Sequence, residues 1–134
     1  MYRDGQGVPQ NYSRAREWLR KAADQGFANA QFCLGSLYYV GQGGPSDYGT
    51  AFEWFRKVAD QGIAIAQYDL GAMYLAGQGV PQNYALSHMW FHLAASQGDA
   101  DAAKARDMVA AKMTPDQIAE AQKLAREWKP KIGQ

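Results

Sequence analysis

A single cysteine, Cys33, stands in a chain of 134 residues. That excludes an intramolecular disulfide and leaves no thiolate cluster for zinc. An excess of either charge is also lacking: the formal net charge is +1, with acids and bases mixed along the chain. Binding to nucleic acid needs a surplus of Lys and Arg on one face, so nucleic acid is not expected as a partner. No long hydrophobic run occurs. The longest mostly apolar stretch, Ile63 to Ala76, is interrupted by Gln67 and Asp69 and is too short to span a bilayer, so membrane insertion is not expected. Met1 is not followed by a basic segment and an apolar core, so no export signal is visible. The default expectation is a soluble cytoplasmic protein, becoming periplasmic or secreted if residues precede Met1.

The motifs of common catalysts are absent too. No Ser is followed by x-x-Lys, and G-x-S-x-G does not occur. No cofactor and no enzymatic activity are expected. What is present is a globular composition, 47% hydrophobic and 20% charged, long enough for one domain with its own core.

The dominant feature is a repeat of 36 residues. Gly5, Gly41 and Gly77 align, as do Pro9/Pro45/Pro81, Tyr12/Tyr48/Tyr84, Trp18/Trp54/Trp90 and Gly26/Gly62/Gly98. A fixed period in the 20–50 residue range signals stacked units, each unable to bury its own apolar face alone. Within one unit the apolar positions recur with helical spacing, as in Tyr12, Ala15, Trp18, Leu19, Ala22 and Ala23. This predicts a helix, here called B, from Tyr12 to Gln25, capped by Asn11 as Asp47 and Asn83 cap the later copies. Gly26, Gly62 and Gly98 end the B helices in a left-handed conformation. A second helix, A, is predicted from Ala28 to Val40 and from Ala64 to Ala76, stopping at Gly41 and Gly77. Loops of about seven residues join A to B, and short turns join B to the next A, which makes sequential helices antiparallel neighbours.

The ends depart from this rule. In register, Met1 and Tyr2 fall in the last turn of an A helix, with a loop from Gly5 to Asn11. The chain is therefore expected to begin inside a repeat whose first helix is absent. After Gly98, Arg106, Asp107 and Ala110 replace the Leu, Gly and Tyr of the earlier A helices. Thr114-Pro115-Asp116-Gln117 then reads as a capping box opening a last helix to about Trp128, whose apolar face carries Ile118, Ala121, Leu124, Ala125 and Trp128. This is the polar-backed cap that a solenoid requires. Residues Lys129 to Gln134 read as a frayed tail. One domain, 1–134, is expected: a partial repeat over 1–27, full repeats over 28–63 and 64–99, and a capping helix pair over 100–134.

The pattern A-x-A-Q-x-x-L-G-x-x-Y-x-x-G-x-G, then a Pro, then (D/N)-Y-x-x-A-x-x-W and A-x-x-G, resembles the Sel-1-like repeat family, relatives of the tetratricopeptide repeats. The resemblance covers residues 2–98. It implies an all-α fold, a right-handed α/α superhelix of antiparallel helix pairs. It also implies an adaptor or scaffold with a concave A-helix face that binds proteins. Cys33 alone sets the chain apart from the disulfide-rich branch of that family.

Comparing the two complete A helices separates two arcs. Ala28/Ala64, Ala30/Ala66, Gln31/Gln67, Leu34/Leu70, Gly35/Gly71 and Tyr38/Tyr74 are identical and mostly share one arc at about 100° per residue. What every copy keeps is expected to pack. A mid-helix Gly costs roughly 1 kcal/mol against Ala, so Gly35 and Gly71 are expected to admit a neighbouring helix closely. The varying positions are candidates for contact with a protein or peptide partner: Asn29, Phe32, Cys33, Ser36 and Tyr39 in one copy, Ile65, Tyr68, Asp69, Ala72 and Leu75 in the next. The competing reading is that adjacent A helices bury these side chains against one another.

Three further features were weighed. Trp18, Trp54 and Trp90 read as core by recurrence, yet Trp18, Leu19 and Ala22 would lose their cover if no A helix precedes them. That would leave a patch suited to a homodimer. His88 and His92 stand four apart on a B helix, a spacing that suits a metal. With no carboxylate or thiolate completing the set, and His92 at an ordinary surface position, no metal is expected. The Gly-Gln-Gly loops follow helices, which makes them caps and turns and not phosphate cradles.

Overall fold

The computed structural model describes residues 8–131, with side chains from Asn11 to Lys131. Among these residues seven helices and no strand occur: α1 (Val8–Asp24), α2 (Ala28–Val40), α3 (Tyr48–Asp60), α4 (Ala64–Ala76), α5 (Tyr84–Ala95), α6 (Ala100–Ala110) and α7 (Pro115–Glu127). From α1 to α6 each helix packs on the next in sequence, and α7 folds back onto α5. The architecture is an all-α helical repeat in which α2 and α4 are the A helices and α1, α3 and α5 the B helices.

The helix ends follow from their residues. Asp47 accepts from the Thr50 N–H at 3.0 Å and Asn83 from the Leu86 N–H at 3.0 Å, so each satisfies an orphan donor in the first turn. Thr114 and Gln117 form a reciprocal capping box at the start of α7. Gly41 and Gly77 terminate α2 and α4 at φ 79° and 73°, a left-handed conformation that only Gly adopts cheaply. The first copy differs. Asn11 lies inside α1, which already starts at Val8, so neither the cap at Asn11 nor a loop reaching it is present. The helical turn expected at Met1–Tyr2 and the loop start expected at Gly5 lie outside the described residues.

The repeated arc of the A helices is the packed one. Leu34 and Leu70 are fully buried, with Ala30, Ala66, Gln31 and Gln67 beside them. Gly35 and Gly71 face the rings of Phe55 and Phe91, one on the B helix of each repeat. A β-carbon added at Gly71 would stand 2.6 Å from the Phe91 ring, so the helices meet closer than Ala would permit.

The two buried glutamines are a polar feature of this core. Gln67 donates to the Ala59 carbonyl at 3.3 Å and accepts from Gln97 at 2.9 Å. Gln31 donates to Ala23 at 3.2 Å and accepts from Gln61 at 3.1 Å. Each ties the end of one B helix to the following A helix and leaves no amide oxygen stranded. A buried polar group without such partners would be costly. Recurrence marked these glutamines as structural; only the fold shows that they close the inter-repeat turn.

The C-terminal segment is also corrected. Beyond α7 the chain lies against the end of α3: the Lys131 N–H donates to the Asp60 carbonyl, and Lys131 Nζ sits 3.8 Å from the Asp60 carboxylate. Through Lys131 this is a docked segment, because the α3 terminus offers it an acceptor and a charge. Residues 132–134 lie outside the described ones.

Candidate binding face on the A helices

The varying arc of α2 and α4 encloses a cavity of about 190 Å³. Ser36, Tyr39 and Val40 come from α2, Asp69, Ala72 and Met73 from α4, and Phe55 from α3 closes it. Small residues at Ser36 and Ala72 leave the space; aromatic rings bound it. Tyr39 is fixed from two sides, its hydroxyl donating to Gln78 Oε1 at 2.8 Å and its ring lying 5.0 Å from that of Tyr48. A second depression of about 270 Å³ adjoins it, lined by Ile65, Tyr68, Asp69, Asp99 and Asp101. Asp69 borders both. Burial pushes its carboxyl up to about 6.

The ten candidates named from the sequence therefore divide. Ser36, Tyr39, Asp69 and Ala72 meet in the first cavity, and Ile65, Tyr68 and Asp69 in the second. Asn29 and Cys33 are exposed and line neither; Phe32 and Leu75 are half-buried and line neither. Phe32 packs at 5.3 Å on Phe55, and Tyr68 at 5.3 Å on Phe91. Both rings are rooted on a B helix, an arrangement that fits neither a free anchor nor contact between adjacent A helices. Val40, Phe55, Met73, Asp99 and Asp101 were missed. Val40 varies between copies and is 60% exposed, a signal present in the sequence. Asp99 and Asp101 belong to the α5–α6 junction, and only folding brings them to Tyr68.

The Gly-Gln-Gly loops are used by the packing: Gly43 sits against the Tyr12 carbonyl and Gly79 against the Tyr48 carbonyl, so closely that a β-carbon would stand 2.5 Å from either oxygen. Each loop thereby docks on the preceding B helix. The Sel1 repeat family model matches residues 1–27, 28–63 and 64–99. The chain belongs to the Sel1 repeat family. Such proteins are generally protein-interaction scaffolds and typically not enzymes.

Two solved Sel1-type structures are similar. One is c5321, a protective antigen of uropathogenic Escherichia coli strains displaying an SLR fold, with 35% identity and a TM-score of 0.83 over 87% of this chain. The other is a Sel1 repeat protein from Oxalobacter formigenes, with 38% identity and a TM-score of 0.68 over 72% of this chain. This chain spans 25% of the first and 40% of the second. No curated protein matches it.

Two other places in this Sel1 repeat chain bear on function. Trp18 is 70% exposed, whereas Trp54 and Trp90 are buried, so recurrence did not make Trp18 core. Leu19 and Ala22 beside it are half-buried, and Leu19 packs toward Leu34 and Trp54. Phe27, at the turn from α1 to α2, is also exposed. The second place is the histidine pair. His88 is buried and its ring stacks on that of His92, with centroids 6.4 Å apart. His92, expected at an ordinary surface position, is half-buried, and its Nδ1 lies 3.3 Å from Arg106 Nη1. Burial, and then the neighbouring positive charge, hold both imidazoles below their usual range. Among the described residues no group of three or more His, Cys, Asp or Glu could hold a metal ion. Likewise, no helix there is long and apolar enough to cross a membrane.

Proposed function

We propose that the protein is a non-enzymatic adaptor that grips a peptide or protein segment on the α2–α4 face. The observation that carries this reading is the cavity between Ser36, Tyr39, Asp69 and Ala72. At about 190 Å³ it is smaller than the roughly 300–1,000 Å³ typical of small-molecule sites. It suits one anchoring side chain of a longer segment, with the adjoining depression available for a neighbour. Rigid aromatic walls around a desolvated pocket are the usual setting of an interface hot spot.

Ala72→Trp fills the cavity from an exposed edge and tests the reading. Affinity capture from the source cell should recover a protein with the wild type that the variant fails to retain, while both melt at similar temperatures. A capture pattern unchanged by the variant, or an enzymatic turnover that survives loss of both histidines and Cys33, would overturn it.

Self-association through the α1 end is a second reading, supported by the exposed Trp18 and Phe27 rings. Sedimentation should then show a concentration-dependent dimer that Trp18→Ala abolishes. A clean monomer at high concentration would remove this reading.

A further inference from the structure

We propose that the segment held on this face presents a lysine or arginine side chain to Asp69, with apolar side chains on either side of it. This rests on the α2–α4 face being the binding face, and it specifies the chemistry of the occupant.

The argument is one of charge complementarity within an apolar groove. The first cavity is walled by Tyr39, Val40, Phe55, Ala72 and Met73, the second by Ile65 and Tyr68, and Asp69 stands at their junction. Asp99 and Asp101 add carboxylates along the same edge, and no lysine or arginine lines either cavity. The chain as a whole is almost neutral at +1, so this acidity is local.

Among the described residues none of the three carboxylates is spent on an ion pair: the acidic partners of Arg20, Arg56, Arg106 and Lys131 are Asp24, Asp60 and Asp107. Asp99 accepts from the Ala102 N–H, which orients it at the start of α6. Asp69 is half-buried on α4, where its desolvation is uncompensated by any cation among the described residues. A cation arriving with the partner supplies that compensation, and acidic rims of this kind also reject acidic segments. The equivalent position in the preceding copy is Cys33, so the preference belongs to this repeat and not to the repeat pattern.

A random peptide library displayed on phage, selected on the whole chain at pH 7.5, tests this. The selected sequences should carry Lys or Arg within two residues of an aliphatic or aromatic residue. For the best synthetic peptide, Asp69→Asn should weaken binding about tenfold. Replacing the peptide's cation by norleucine should cost the same, and combining both changes should add little. Ala72→Trp should abolish binding, and Ser36→Trp serves as the block if that variant fails to fold. Peptides that require the open cavity yet are indifferent to Asp69→Asn would overturn the cation and leave the face. A selection that yields nothing sensitive to either block would overturn both.

Discussion

Helices α1 and α3 follow the same repeat pattern and end differently. Trp54 is buried, with the Arg20 guanidinium 5.7 Å from its ring centroid, and Trp90 is buried under Arg56 at 5.4 Å. In both cases part of the cover is an arginine of the preceding B helix, 34 residues back, and Trp90 also meets Trp128 edge-on at 6.0 Å. Trp18 is on the first helix described and is 70% exposed, with Lys21 Nζ 5.3 Å from its ring centroid. The difference teaches that recurrence alone does not make a residue core: the cover over each copy decides. Position 16 makes the same point in polar terms. Arg16 clamps the second repeat by donating to the Gln42 carbonyl at 2.7 Å and covering the Tyr38 ring at 4.1 Å. Its counterpart Phe52 reaches the corresponding Tyr74 edge-on at 5.5 Å, and the third counterpart, His88, has Ala110 in place of a tyrosine and a buried Nδ1 with no partner.

The sharpest way to break the comparison is to truncate the tryptophans one at a time. Trp90→Ala should cost about 3–5 kcal/mol of stability, as large core deletions do. Trp18→Ala should stay within about 0.5 kcal/mol, the range of ordinary surface changes. Urea unfolding followed by circular dichroism checks both, and equal costs would mean that the two sites are alike after all.

A smaller effect separates the two A-helix glycines. Gly71→Ala gains about 1 kcal/mol of helix propensity but drives a methyl into the Phe91 ring, and overpacking costs about 1–3 kcal/mol. A net destabilisation is expected. Gly35→Ala meets the Phe55 ring only at 3.0 Å, against 2.6 Å at Gly71, and should lie nearer to neutral. Paired thermal melts give the order, and a stabilised Gly71→Ala would refute close approach as the reason for the glycine.

The smallest effect concerns acid. Burial, His92 and Arg106 lower the His88 pKa in the folded protein below its ordinary value, while Asp107 opposes them. A base with a depressed folded pKa contributes stability above its unfolded pKa, and that contribution is lost as pH falls through the folded one. His88→Phe, which copies position 52 of the preceding repeat, should flatten the decline in melting temperature between pH 7.5 and pH 5. An unchanged decline would show that His92 alone carries the sensitivity.

Most of the helical framework was legible because it is local. The A helices begin and end where periodicity and the glycines place them, and Asp47, Asn83 and Thr114 cap as their side chains allow. The candidate face was legible only in part. Variation between copies pointed to Ser36, Tyr39, Asp69 and Ala72, because positions released from packing are free to differ. It pointed equally to Phe32 and Leu75, which line neither cavity, since variation cannot tell a groove wall from a residue buried against a variable neighbour. Asp99 closes the third repeat and Asp101 opens the cap at the position of Asn29 and Ile65, outside the two complete A helices whose variation marks the other candidates.

What the sequence by itself determined is the repeat: helix periods, caps, left-handed glycines and the packing arc all act within a few residues or recur at fixed spacing. Only the tertiary structure decided which copies of a residue are covered. The pentapeptide Val-Pro-Gln-Asn-Tyr shows why. At 8–12 it is helical, and at 80–84 it is not helical until its tyrosine. In the later copy Gln82 donates to the Leu75 carbonyl and the Asn83 N–H to the Tyr74 carbonyl. Those acceptors belong to α4, the A helix of the same repeat. Identical residues thus take different structures, because the contacts that fix the later copy come from outside the pentapeptide.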